Sequence, residues 1–279
     1  MTAPDATRDA KVYALAKAYL LSFSSYGVTE ELLAKYLTPK PADLCPTSLP
    51  DVYSRILESA QNRGMMATVV GRSIGGIEAL RPVLCGFDPV AISARFSTPE
   101  ELLDAILANV EVRGQVRRNT GSLWPLFSRA ALSGARFLTQ FQDLPDFLAW
   151  VAIFDDDPRK RAALPLIISR EIEGFGFALA CDFLKELGFL NFAKPDVHVR
   201  AIVEELGLCP AKADDYAVLK AMVRIAANCN RTPYDVDKVF WLVGSGYFYD
   251  HKEMGTRGRI PTDRAAFIAS AKKALARGA

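Results

Sequence analysis

The sequence predicts a mostly α-helical protein, on three observations. Apolar residues recur at three- and four-residue intervals through most of the chain. Helix-start chemistry is explicit at Thr98-Pro99-Glu100-Glu101, a capping box with proline at the first helical position. Finally, no pair of alternating segments reads as a strand hairpin, and only Ala67 to Val70 reads as one short strand.

Taken in chain order, Ala10 to Phe23, Glu30 to Tyr36 and Asp51 to Asn62 carry helical apolar spacing. The capping box opens a helix through Asn109. Further helices are predicted over Trp124 to Phe141, Pro145 to Phe154, Arg159 to Glu171, Phe177 to Leu187, Asp214 to Asn228, Pro233 to Val243 and Asp263 to Arg277. Within Thr232 to Trp241, the Val236, Val239, Phe240 and Val243 set forms a stripe suited to core packing. The polar loop Arg113 to Gly121 suggests a soft boundary, giving an N-terminal lobe over residues 1–120 and a second lobe over 121–279.

With 279 residues and 50% hydrophobic content, the chain can bury one large core or two joined lobes. No apolar run approaches the length that spans a bilayer, so no membrane partner is expected. The N-terminal MTAPDATRD has acidic residues and no apolar segment, unlike a signal or transit peptide. A net charge of +2 is too small to indicate nucleic acid, so any DNA-binding face must be local. The five cysteines form no CxxC pair and no ligand spacing, and their odd number favours reduced, mostly buried thiols in a cytosolic compartment.

The stretch from Glu171 to Leu208 is the most informative. Gly174 and Gly176 can both take positive φ, which lets the chain reverse tightly between the apolar segments Leu164 to Ile172 and Phe177 to Leu187. The amides of such a turn lie beside the positive end of the following helix and suit a phosphate. A dinucleotide-binding loop fits poorly, because Leu179 stands where the third glycine of GxGxxG belongs. Twenty residues after Gly176, Asp196 follows Pro195 and opens the helical pattern Val197, Ile202, Val203, Leu206, and so reads as an N-cap.

A Gly-x-Gly turn coupled to Lys194-Pro195-Asp196-Val197-His198-Val199 resembles the helix-hairpin-helix, Gly/Pro-Asp signature of the DNA glycosylase superfamily. That superfamily includes endonuclease III and the adenine, 8-oxoguanine and alkyladenine glycosylases. The resemblance implies a two-lobed helical fold. It also implies double-stranded DNA with a damaged or modified base as partner, base flipping, and hydrolysis of the N-glycosidic bond. Asp196 would be the catalytic residue, stabilising the oxocarbenium-like sugar and helping to orient the attacking water. Gly174, Phe175, Gly176 and Phe177 would grip a backbone phosphate, and His198 would be a structural hydrogen-bonding residue.

Two departures qualify the resemblance. The endonuclease III type places a Schiff-base lysine two positions after the second glycine, where this chain has Ala178, and neither Lys185 nor Lys194 occupies that place. The chain is therefore expected to be monofunctional. A bifunctional glycosylase/lyase with a displaced lysine and a non-catalytic DNA-binding protein are the alternatives. Only Cys209 and Cys229 follow Asp196, twenty residues apart, so no iron-sulfur cluster or other metal is expected. The resemblance leaves room for a structural monovalent cation held by hairpin carbonyls.

The basic clusters Arg113, Arg117 and Arg118, Arg159 to Arg161, and Arg257 with Arg259 could contact phosphates or be solvated surface. Arg117 and Arg118 are the preferred pair. Trp124, Phe127, Trp150, Tyr247 and Tyr249 read equally as core or as base-stacking residues. The expected molecule is a monomer, cytoplasmic and nucleoid-associated in a bacterium or nuclear in a eukaryote, whose substrate base the sequence does not name.

Overall fold

The computed structural model describes residues 6–38, 45–62 and 69–277. Among these, fourteen α-helices and three short 3-10 turns account for the regular structure, and the only β contacts are isolated bridges joining Tyr247, Gly255 and Thr256 to Arg259. The mostly helical expectation therefore holds. Contacts divide the chain into two compact units, one formed by Met1–Pro41 with Leu190–Ala279 and the other by Ala42–Phe189.

The second unit contains α3 (Leu49–Gln61), α4 (Val69–Ile74), α5 (Pro89–Arg95), α6 (Pro99–Asn109), α7 (Leu123–Leu138), α8 (Leu144–Asp155), α9 (Ala163–Glu171) and α10 (Phe177–Glu186). Its central helix is α7, against which α3, α5 and α6 pack. The close approach of α3 and α7 has a local cause. A Cβ at Gly134 would lie 2.8 Å from Ile56 Cγ2, and the Tyr53 hydroxyl donates to the Ala131 carbonyl at 3.0 Å. Both halves of the capping box at Thr98 form, so α6 begins at Pro99 as its sequence dictates.

The boundary expected at residue 120 lies inside this unit. The loop at 113–121 is polar and exposed, but α6 on one side of it packs on α7 on the other, and packing rather than loop composition holds a unit together. The expected strand at 67–70 falls partly on residues outside those described. Val69 and Val70 begin α4, where Val70 and Ile74 are buried four residues apart, a helical spacing. The helix α5 was not anticipated, although Asp88-Pro89 carries its start signal: the Asp88 carboxylate accepts from Val90 and Ala91 N–H.

The first unit contains α1 (Ala6–Leu21), α2 (Glu30–Leu37), α11 (Val197–Glu205), α12 (Asp215–Asn228), α13 (Pro233–Ser245) and α14 (Arg264–Ala276). Here α13 is central, touching each of the other five. Val236, Val239, Phe240 and Val243 are all fully buried, as their spacing predicts. The helix α1 is tied in by Asp9, only 1% exposed, whose carboxylate accepts from Arg224 Nε at 2.8 Å, Arg224 Nη2 at 3.1 Å and Asn228 Nδ2 at 2.7 Å. Among the described residues no helix is long and apolar enough to cross a membrane.

Candidate functional site

The glycine turn belongs to the second unit. Helix α9 ends at Glu171, and Ile172 leaves it in an extended conformation while still donating to the Ile168 carbonyl. Glu173 N–H is held by the Ser133 hydroxyl at 2.9 Å, which pins the turn to α7. Gly174 then takes φ +86°, a left-handed value that a β-carbon disfavours by about 1 kcal/mol or more, and Phe175 N–H closes on the Ile172 carbonyl at 3.1 Å.

Gly176 departs from expectation. Its φ is −89° with ψ 168°, ordinary extended backbone, because it serves as the N-cap of α10 and needs no left-handed geometry there. What its lack of a side chain provides is space. A Cβ at Gly176 would meet nothing within 4 Å, and no side chain caps the first amides of α10. The start of α10 thus offers an outside anion room beside Gly176, although Leu179 N–H is already given to the Gly176 carbonyl at 3.0 Å.

Phe175, expected in the phosphate grip, points inward. Its ring is buried edge-on to Phe183 at 6.3 Å, so only its backbone could meet a phosphate. Phe177 is partly buried at the start of α10. Two of the turn's carbonyls are engaged internally, Ile172 by Phe175 N–H and Gly176 by Leu179 and Ala180 N–H, so a cation at the turn would have to share them.

Asp196 belongs to the first unit and caps α11. Its Oδ1 accepts from His198 N–H and Val199 N–H, both at 2.9 Å, while Oδ2 has no hydrogen bond among the described residues. The cap thus uses one oxygen and leaves the other. Burial, and then the nearby Asp237 carboxylate, push the Asp196 carboxyl above the usual Asp range, with the Val199 amide, His198 and Lys194 opposing. Asp237 is 2% exposed on α13, and its Oδ2 accepts from Lys194 N–H at 3.3 Å. Two carboxylates therefore bracket the 194–196 segment.

His198 lies two residues beyond Asp196, within the first turn of α11. Arg264 Nη1 lies 3.2 Å from the Val197 carbonyl and 3.3 Å from His198 Nδ1. Gly244 of α13 makes room for the ring, since a Cβ there would lie 2.5 Å from His198 Cβ and 2.7 Å from Nδ1. Burial lowers the His198 pKa below its ordinary value. Asp196 pulls it back up, and the cations Arg264 and Arg259 push it further down.

The remaining candidates are less concentrated. Lys185 is buried with its Nζ 3.5 Å from Asp182 Oδ1 and 3.7 Å from Glu186 Oε1, so its ammonium is held by carboxylates. Arg117 and Arg118 lie on the exposed 111–122 stretch. Arg118 is already paired with Asp104 at 2.6 Å, and neither arginine bonds to the glycine turn. Arg159 and Arg161 are likewise paired, with Asp157 and Asp155.

Arg259 lies over the Tyr247 ring at 4.7 Å and donates to the Ser245 carbonyl. Trp124 and Phe127 are core residues, and Trp150 lies in a ring cluster with Phe137, Phe141, Phe147 and Phe154. All five cysteines are free thiols, but only Cys181 is fully buried and Cys45 is exposed, so the mostly buried expectation fails. Among the described residues no three His, Cys, Asp or Glu side chains group as metal ligands.

No family model, curated protein or solved structure matches this chain. Sequence reasoning singled out Asp196 and His198 but missed Asp237, Gly244 and Arg264. Asp237 had a signal, being an acid inside the buried stripe Val236, Val239, Phe240. Arg264 had none, because its role depends on α14 meeting the start of α11.

Proposed function

We propose that the chain is a monofunctional DNA glycosylase of base excision repair with the two-lobed helix-hairpin-helix fold, acting on a damaged or modified base in duplex DNA. The observation that carries this reading is Asp196: a partly buried carboxylate whose Oδ1 is tied to two helix amides while Oδ2 is left for a ligand. It is supported by the Gly174 turn, whose left-handed glycine and uncapped following helix suit a backbone phosphate. The resemblance of Glu171 to Leu208 to the glycosylase superfamily supplies the chemistry. As the base departs with the bonding electron pair and is protonated, positive charge develops on the sugar, and the Asp196 carboxylate stabilises it. Water then adds at C1′, losing a proton, and leaves an abasic sugar.

A panel of duplexes carrying single lesions tests the reading. Base release from at least one lesion is expected, with strand scission only after alkaline work-up. Duplex binding without release from any lesion would replace it with the non-catalytic alternative.

Borohydride is expected to trap no covalent complex, because Ala178 cannot form an imine and Lys185 is held in a buried ion pair. A trapped band lost in one Lys→Ala variant would make the bifunctional reading correct.

The turn has its own test. Gly176→Val should fold normally, its φ being ordinary and its surroundings open, yet should weaken binding to every duplex alike. The expected loss is roughly tenfold, since one hydrogen bond to a charged phosphate oxygen is worth about 1.5 kcal/mol. Unchanged affinity in titrations at fixed salt would reduce the turn to a structural feature.

A further inference from the structure

We propose that Arg264 is a positioning residue for Asp196, docking on the Val197 carbonyl and on His198 Nδ1 and so holding the His198 ring neutral, with its proton on Nε2. The inference rests on the glycosylase reading for its catalytic consequence and on geometry alone for the docking. A guanidinium has five donors and no acceptor. The ring nitrogen 3.3 Å from Arg264 Nη1 must therefore present a lone pair, which assigns the proton to Nε2 and excludes the imidazolium while the contact lasts. The same Nη1 reaches the Val197 carbonyl, so one side chain grips both residues that follow Asp196.

Helix α13 packs against the same Nδ1 edge of the ring. Gly244 is the one residue type that fits, a Cβ there falling 2.5 to 2.8 Å from three His198 side-chain atoms. The charged groups around the ring are Asp196 on its own segment, Arg264 at the start of α14 and Arg259 from the preceding loop. Asp237 on α13 acts on Asp196. Burial first, and then the cations Arg264 and Arg259, oppose protonation of His198 against the pull of the Asp196 carboxylate.

The consequence is electrostatic and mechanical. An imidazolium two residues from Asp196 would repel the sugar cation that the carboxylate is there to stabilise. A ring free to rotate would loosen the two amides that hold Asp196 Oδ1. Arg264 prevents both. Its place in the sequence, directly after the Asp263 cap of α14, is what brings it to the start of α11.

Histidine ¹⁵N NMR on the full chain is the decisive measurement, and with only two histidines in the sequence, a His198→Gln spectrum assigns the signals. Wild-type His198 is expected as the Nε2–H tautomer at pH 7, with a titration midpoint below the ordinary histidine value. In Arg264→Met the midpoint should rise, and Arg264→Lys should restore part of the difference. On a cleaved lesion, Arg264→Met should lower kcat about tenfold or more with KM little changed.

A wild-type Nδ1–H tautomer would overturn the proposal, and so would a midpoint that Arg264→Met leaves in place. The wild-type tautomer is read without any variant, so a poorly folding substitution does not protect the idea. An expected spectrum from a protein that releases no base would uphold the docking and overturn the glycosylase function instead.

Discussion

Asp196→Asn is expected to abolish base release, lowering kcat by at least about 100-fold, while duplex affinity stays within a few-fold of wild type. The amide keeps the shape of the carboxylate and a carbonyl oxygen to accept from His198 and Val199 N–H, so the cap survives. What is lost is the negative charge opposite the developing sugar cation. Stability should move the other way. Because burial and Asp237 raise the Asp196 pKa, its ionised form is less favourable in the folded than in the unfolded chain, a penalty present at neutral pH and relieved as pH falls.

Asparagine removes that penalty, so the variant should melt no lower than wild type at pH 7. The acid limb of the wild-type kcat profile should correspondingly lie above the range of an ordinary aspartate. Turnover within a few-fold of wild type on a verified substrate would remove Asp196 from the mechanism. A sharply lowered melting temperature would mean that the charge serves mainly the helix.

The largest loss of stability is expected at the other end of the first unit. Arg224→Ala leaves the Asp9 carboxylate 1% exposed with only Asn228 as a side-chain donor, and removing one partner of a buried ion pair typically costs 3–5 kcal/mol. Arg224 itself is 29% exposed, which places the expectation near the lower end, roughly 3 kcal/mol. Lys17→Ala breaks the exposed pair with Glu30 and should change stability by no more than about 0.5 kcal/mol. Urea unfolding of the two variants measures the contrast. A loss below about 1 kcal/mol for Arg224→Ala would show that α1 is held by its apolar face alone.

Most helices could be read before the fold because their determinants are local. Thr98, Asp214, Thr232 and Asp263 each cap the helix that follows, within one residue of the expected start. Where reading failed, a distant contact had overruled a local preference. Val69 and Val70 favour a strand by composition, but burial of Val70 and Ile74 on one face selects helix. At Phe175 the facing Phe183 draws the ring into the core, a contact that its neighbours in sequence do not reveal.

The sequence by itself determined the helical class, the caps, that of Asp196 included, and the glycine turn, since each depends on residues within a turn or two of one another. Tertiary structure decided the rest. It separated the left-handed Gly174 from the extended Gly176, although both glycines could adopt either geometry. It placed the unit boundaries near residues 41 and 189 instead of 120, because packing of α6 on α7 outweighs a polar loop. It also brought Asp237, Gly244 and Arg264 to the Asp196 segment, residues 41 to 68 positions further along the chain. Chain separation says nothing about which side chains meet when helices pack, and the charge, tautomer and free oxygen of this site follow from those meetings.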